Sequence, residues 1–178
     1  MSDPAIRDAI PDDAERVFDL MVQFAEFDER PQRVRTDVTR VRALLGDASP
    51  PVQFVVAELA HRIVGFASFY RTFSTAVGEA GLCLEDLYVE EGARTLGIGK
   101  SLMRYVAQVG LKTGCSKIEW TVGAENAAGI GFYEAIGARV RLRTRVCRLQ
   151  ADAMASLAAS VPDAKTKESL PCDFRRSF

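Results

Sequence analysis

The sequence predicts a single α/β (α+β) domain with a mixed, mostly antiparallel central sheet flanked by helices. Three observations predict it. Strand-type and helix-type periodicities alternate in the order strand, two helices, three strands, then helix–strand–helix–strand. Two β-rich runs, VQFVVAEL and RIVGFASFYR, meet at the short AHR stretch, the spacing of an antiparallel hairpin. The 178 residues suffice for one domain with a full core and are too few for two ordinary ones.

Each element has its own warrant. PAIRD (4–8) reads as a short first strand. Asp12 and Asp13 then stand at a helix start, where acids complement the dipole, and Ala14, Val17, Phe18, Met21, Val22 and Ala25 follow at helical spacing. A second helix is expected over 36–46, with Thr36 as cap and Gly46 as stop. After the hairpin, TFSTAVGEA (72–80) reads as a loop and GLCLEDLYVE as a strand. Leu102, Val106 and Val109 mark the next helix, ended by Gly114. SKIEWTV is a short strand, NAAGIGFYEAIGA a helix, RVRLRTRVCRL a final strand and QADAMASLAA a closing helix. From Val161 on, no periodicity is visible and the chain reads as a tail, so the expected organisation is a domain over 1–150 and a helix and tail over 151–178.

Composition narrows the function classes. With 48% hydrophobic and 26% charged residues, the chain reads as globular. No apolar run approaches the roughly 20 residues of a membrane helix. The formal net charge of −1 gives no electrostatic case for nucleic acid. The N-terminus carries early acids and no apolar signal region, and the four cysteines (83, 115, 147, 172) form no C-x-x-C pair. Reduced thiols and a cytoplasmic setting are therefore expected. The single histidine, His61, reads as an exposed turn residue, and one histidine makes a His-rich metal site unavailable. No metal is expected, and any base is a carboxylate, a tyrosine or a water.

The stretch EGARTLGIGKSL (91–102) places Gly97, Gly99 and Lys100 at the mouth of a helix. Glycines there allow backbone N–H groups to approach an anion. A P-loop needs glycine where this chain has Arg94, and a dinucleotide fingerprint needs glycine where it has Leu102. The pattern that does match is [RQ]-x-x-G-x-[GA], through Arg94, Gly97 and Gly99. Unpaired N–H groups at a helix start, the helix dipole and a neighbouring Arg94 or Lys100 together suit a pyrophosphate. Lys100 also reads as a plain solvated helix residue.

Three motifs in order carry a resemblance: LEDLYV (84–89), RTLGIGK (94–100) and N-x-x-x-x-x-F-Y-E-x-x-G-A (126–138). With them the chain resembles the GNAT superfamily of N-acetyltransferases, over roughly residues 5–150. More narrowly it is similar to the diamine (spermidine/spermine or thialysine) acetyltransferase branch. That resemblance implies the GNAT fold, acetyl-CoA as donor, a small-molecule primary amine as acceptor and a homodimer. A protein or peptide N-acetyltransferase, or a weakly catalytic acyl-CoA-binding module, are the alternatives.

The resemblance also implies roles for residues. The cofactor loop comprises Arg94, Thr95, Leu96, Gly97, Ile98, Gly99 and Lys100. Leu87, Tyr88 and Val89 would pair their backbone with the pantetheine amides, and Asn126 would lie near that arm while also serving as a helix cap. Glu85 is the implied base, acting through a water. Apolar neighbours would raise its pKa if it is buried, and a strand-end carboxylate facing water is the alternative. Tyr133 is the implied acid for the leaving thiolate, against a plain core or rim tyrosine. Asp86 would orient the site. Phe27 and Asp28, where the branch commonly has a tyrosine and a glutamate, with Glu26 and Glu29 form an acidic, partly aromatic patch suited to a cationic amine.

Thr95 stands where most relatives carry glycine. Gly129 and Gly131 lie inside the Tyr133 helix, where each costs about 0.5–1 kcal/mol relative to alanine. Arg139, Arg141, Arg143 and Arg145 share one face of the expected last strand. They read as a charged edge, or as a contact to an acidic partner chain or to the cofactor's phosphates.

Overall fold

A sheet in the order β1-β2-β3-β4-β5 forms the centre of the structure, with helices on both faces. The computed structural model describes residues 4–159. The chain divides into two compact units, Met1–Ala138 and Arg139–Phe178. The strands are β1 (Ala5–Asp8), β2 (Gln53–Leu59), β3 (Arg62–Ser74), β4 (Glu79–Val89) and β5 (Cys115–Glu119), all in the first unit. β1 to β4 pair antiparallel and β5 joins β4 in parallel, so the sheet is mixed and mostly antiparallel as the sequence predicts.

The alternation along β2 divides the core. Phe54 and Val56 face one layer with Ala14, Val17 and Leu20 of α1 (Ala14–Phe27) and Val41 of α2 (Val38–Gly46). Val55 and Ala57 face the other, with Ile98, Leu102 and Val106 of α3 (Ile98–Lys112). Both faces are covered, which is why β2 reads as a nearly continuous apolar run. Leu102 is fully buried, so its truncation to alanine costs about 2–5 kcal/mol.

The entry to α1 is fixed by charge. Arg7 donates to Asp13 at 2.6 and 2.9 Å, and the Ile10 amide donates to the same carboxylate at 2.8 Å. The Arg7 hydrogen bond holds the Asp13 carboxyl below its usual range. β1 is thereby tied to the start of α1, and Asp12 and Asp13 stand at the helix start as expected.

Several boundaries differ from the sequence reading, each for a physical reason. The cap of α2 is Asp37, not Thr36, because the Asp37 carboxylate accepts from the Arg40 amide at 2.9 Å. The loop expected at 72–80 is mostly strand: Thr72, Phe73 and Ser74 pair with Gly81, Ala80 and Glu79, leaving a turn at 75–78. β5 stops at Glu119, so Trp120 leaves the sheet. Gly114, at φ 73°, follows the end of α3 as expected.

The expected last strand is absent. Residues 139–149 are irregular, and Leu142 there is 92% exposed. Alternating Arg with Val and Leu meets the propensity of a strand, but a strand also needs a paired ladder. The closing helix is present as α5 (Ala151–Ala159), and the tail expected from Val161 on lies outside the described residues.

Candidate active site

The site is built on a defect in the β3–β4 ladder. Ser68 pairs with Asp86, but the next residue, Phe69, pairs with Leu84, so Glu85 is an extra residue on β4. Such a bulge re-aims side chains. Before it, Ala80, Leu82 and Leu84 face α3; after it, Leu87 and Val89 pack on that layer. Tyr88 turns to the α1 layer.

The bulge separates the environments of the two acids. Glu85 is exposed and faces water, the alternative to a buried base that the sequence leaves open. Asp86 is the half-buried one. Ser68, only 1% exposed, donates its hydroxyl to Asp86 at 2.8 Å. Burial pushes the Asp86 carboxyl up, the Ser68 hydrogen bond opposes this, and the Glu85 charge adds to it.

β4 also outruns its parallel neighbour. The β4–β5 ladder ends at Cys83 opposite Glu119, while β4 continues to Val89. The β5-facing edge of Leu87, Tyr88 and Val89 therefore lies beyond the paired stretch. Gly65 brings β3 close on the other side: a Cβ there would stand 2.8 Å from the Tyr88 carbonyl oxygen. The chain then leaves β4 through Glu90, which is held by Arg16 at 2.5 Å and by Arg62.

At the loop after β4, Gly97 adopts φ 77° and opens α3, with nothing within 4 Å of where its Cβ would project. The Ser101 amide is bonded to the Gly97 carbonyl, so the amides of Ile98, Gly99 and Lys100 precede the first helical bond. Ile98 is buried and anchors the helix, whereas Thr95, Leu96, Gly97 and Lys100 are exposed. Thr95 has φ 68°, a left-handed conformation that is strained for a β-branched residue. Arg94 turns back from the loop: its Nε donates to the Val89 carbonyl at 3.0 Å and its guanidinium stacks on Phe27 and Tyr88.

Asn126 caps α4 (Ala127–Ala135), accepting from the Gly129 amide at 2.8 Å. Tyr133 on this helix is half-buried, with its ring 4.9 Å from Trp120 and 5.2 Å from Phe132. Burial raises its pKa. Phe132 lies over Gly99, where a Cβ would meet the ring at 3.4 Å, so α4 packs at the start of α3. The expected residues thus fall on the two sides of β4. Phe27, Asp86, Tyr88 and Arg94 gather on the α1 side; Leu87, Val89, Ile98, Gly99 and Tyr133 gather around α3 and α4.

One carboxylate of the acidic patch at the end of α1, that of Asp28, is paired. Asp28 lies 3.5 Å from Arg30 and 3.8 Å from Arg33. Both pairs are solvent-exposed, where such contacts are weak, and they set two cations beside the Asp28 carboxylate.

A model of the acetyltransferase (GNAT) family matches residues 14–138. The chain belongs to the GNAT acetyltransferase family. Among curated proteins, this GNAT enzyme is 30% identical to a thialysine N-epsilon-acetyltransferase of Bos taurus, over 75% of this chain and 83% of that one. It is 35% identical to an L-ornithine N5-acetyltransferase of Arabidopsis thaliana, over 53% of this chain but 42% of that protein. Among solved structures, an integron cassette protein from the mobile metagenome of V. cholerae superposes with a TM-score of 0.73 at 20% identity, covering 90% of this chain and all of that one. A ribosomal-protein-alanine N-acetyltransferase from Brucella melitensis gives 0.66 at 23%, covering 83% of this chain and all of that one. These structures share its fold.

GNAT enzymes use acetyl-CoA as donor. The residues here fit that molecule on two counts: the open space and N-terminal amides at Gly97, and the β4 edge beyond β5. Sequence reasoning missed Ser68, Gly65 and Trp120. A glycine inside a strand pattern signals close backbone approach and could have flagged Gly65. Ser68 and Trp120 had no such signal.

Proposed function

We propose that this acetyltransferase moves the acetyl group of acetyl-CoA onto a primary amine of a small molecule, a diamine, polyamine or lysine-like amine, by direct attack on the thioester. The observation that carries the reading is the bulge that sets an exposed Glu85 beside the Ser68-bonded Asp86. The names of the thialysine and ornithine relatives support the same acceptor class.

An amine with a pKa near 10.4 arrives as an ammonium, so it needs an anion to hold it and a base to take its proton. Asp86 and Glu85 supply these, with Glu85 open to a water that can relay the proton. Because Arg30 and Arg33 occupy Asp28, the acceptor anchor falls to β4 rather than to the end of α1. The amides at the start of α3, with Lys100, hold the donor's pyrophosphate, Arg94 fastens the loop to Val89 and Phe27, and Asn126 stands beside the pantetheine arm. The backbone of Leu87, Tyr88 and Val89 pairs with the donor's amides.

Acetyl-CoA supplies an activated acetyl group and a thiolate leaving group. Tyr133 donates a proton to that thiolate, and its raised pKa keeps it protonated at neutral pH. Release of CoA, measured with diamines, polyamines, lysine analogues and a lysine-bearing peptide, tests the reading. Turnover on the peptide alone would move the acceptor to proteins; none on any amine would sink the proposal. Glu85→Gln and Tyr133→Phe each lower kcat, by about 100-fold for a general acid–base group, and leave acetyl-CoA affinity unchanged.

A further inference from the structure

The sheet face that carries Asp86 continues outward to a residue with no role so far, Tyr70. On β3, Ala67 and Phe69 face the α3 layer, so Ser68 and Tyr70 share the opposite side with Phe66. The register sets Tyr70 against Cys83, as it sets Ser68 against Asp86. Cys83 lies between Leu82 and Leu84, which both face α3, so it shares the face of Tyr70. Between Cys83 and Asp86 stands the bulge residue Glu85, turned out to solvent. The result is a strip that runs from the buried Ser68 and half-buried Asp86 to the exposed Tyr70, 37% open to solvent. Two residues of strand separate Ser68 from Tyr70, about 7 Å. A butyl or pentyl chain bridges that span.

We propose that Tyr70, with Cys83, receives the non-reacting polar end of an elongated amine acceptor, and so determines acceptor specificity. This rests on the reading that Glu85 and Asp86 take the acceptor. Asp86 adjoins Leu87, Tyr88 and Val89, the donor side of the strand, so the reacting amine lies at Asp86 and the rest of the molecule points toward Tyr70.

The chemistry of the wall suits that end. A hydrogen bond to Cys83, burial, and the nearby Cys83 and Glu85 charges push the Tyr70 hydroxyl up to about 12. Tyr70 therefore stays neutral at working pH and offers a donor, an acceptor and a ring face beside the Glu85 carboxylate. A cation over such a ring gains about 0.5–1 kcal/mol where exposed and more where desolvated.

The test compares diaminobutane with butylamine, which has the same length but no distal ammonium, in the full chain and in Tyr70→Ala and Tyr70→Phe. Steady-state kinetics is joined to calorimetric binding of diaminobutane. Tyr70→Ala is expected to raise the diaminobutane KM about 10-fold, a loss of about 1.4 kcal/mol. The KM values for butylamine and acetyl-CoA and kcat stay unchanged, and Tyr70→Phe, which keeps the ring and the packing, falls between wild type and Tyr70→Ala. An equal rise for both amines, or none, overturns the inference while acetyl transfer stands. Diaminobutane binding that weakens in Tyr70→Ala, with no acetylation of either amine, overturns acetyl transfer and leaves Tyr70 in its role. Neither binding nor turnover overturns both.

Discussion

Arg94 holds its guanidinium carbon 4.4 Å from the centre of the Phe27 ring, and 5.5 Å from that of Tyr88. One residue opens the loop before α3; the other ends α1. The contact couples the loop before α3 to the α1 side of β4, and the Arg94–Val89 hydrogen bond fastens that loop to the strand. A cation–π contact at a half-exposed site is worth about 0.5–1 kcal/mol. A double-mutant cycle of Phe27→Leu with Arg94→Met, read by urea unfolding, should return that coupling. Strictly additive effects would show that the two side chains do not support each other.

Thr95 occupies a left-handed conformation, φ 68°, beside Gly97 at 77°. A β-branched residue pays about 1–3 kcal/mol to stay there. Glycine removes the strain but adds about 0.5–1 kcal/mol of unfolded-state entropy. The balance favours Thr95→Gly by about 1 kcal/mol. Thermal unfolding checks it: a lower Tm for Thr95→Gly would mean that the Thr95 side chain holds the loop by other contacts.

The two glycines of α4 should respond to alanine in opposite directions. At Gly129, a Cβ would stand 2.7–2.9 Å from the Asn126 side chain. That side chain is the cap, so Gly129→Ala forfeits the cap or strains it, about 1–2 kcal/mol. At Gly131 nothing lies within 4 Å, and alanine there gains about 0.5–1 kcal/mol of helix propensity. Paired melting curves decide the matter, and a shift of the same sign in both variants would contradict it.

The elements whose signal is local were legible in the sequence. Ala14, Val17 and Met21 at helical spacing, and the β-rich run VQFVVAEL, placed α1 and β2. What depends on pairing between distant segments was not. The bulge that exposes Glu85 arises only from the register of β3 on β4, and the burial of Asp86 depends on Ser68, 18 residues earlier. The same limit misled the reading of 139–149, where the alternation was right for a strand and the irregular chain shows that alternation alone is insufficient. Asp28 shows a subtler case, since its neighbours Arg30 and Arg33 were visible but their turn back onto it was not.

Asp86 makes stability depend on pH in a way that isolates its environment. Its folded pKa lies above the unfolded value of about 3.9, because burial outweighs the Ser68 hydrogen bond and the Glu85 charge acts in the same sense as burial. Between the two values the folded chain binds a proton that the unfolded chain has lost. Stability contributed by that proton is complete below the unfolded pKa and disappears as pH rises through the folded one. Asp13 acts in the opposite sense: its pKa is lowered by Arg7, so its contribution is present above about pH 4 and is lost as pH falls through the depressed folded value. Asp86→Asn should therefore remove the decline with rising pH and leave the acid-side loss intact. Asp13→Asn should do the reverse, and should also cost about 1 kcal/mol at neutral pH by replacing a charged acceptor of Arg7 with a neutral one. Urea unfolding of the three proteins from pH 3 to 8 measures both limbs. A decline of unchanged size in Asp86→Asn would assign it to another group and remove the argument that burial raises the Asp86 pKa.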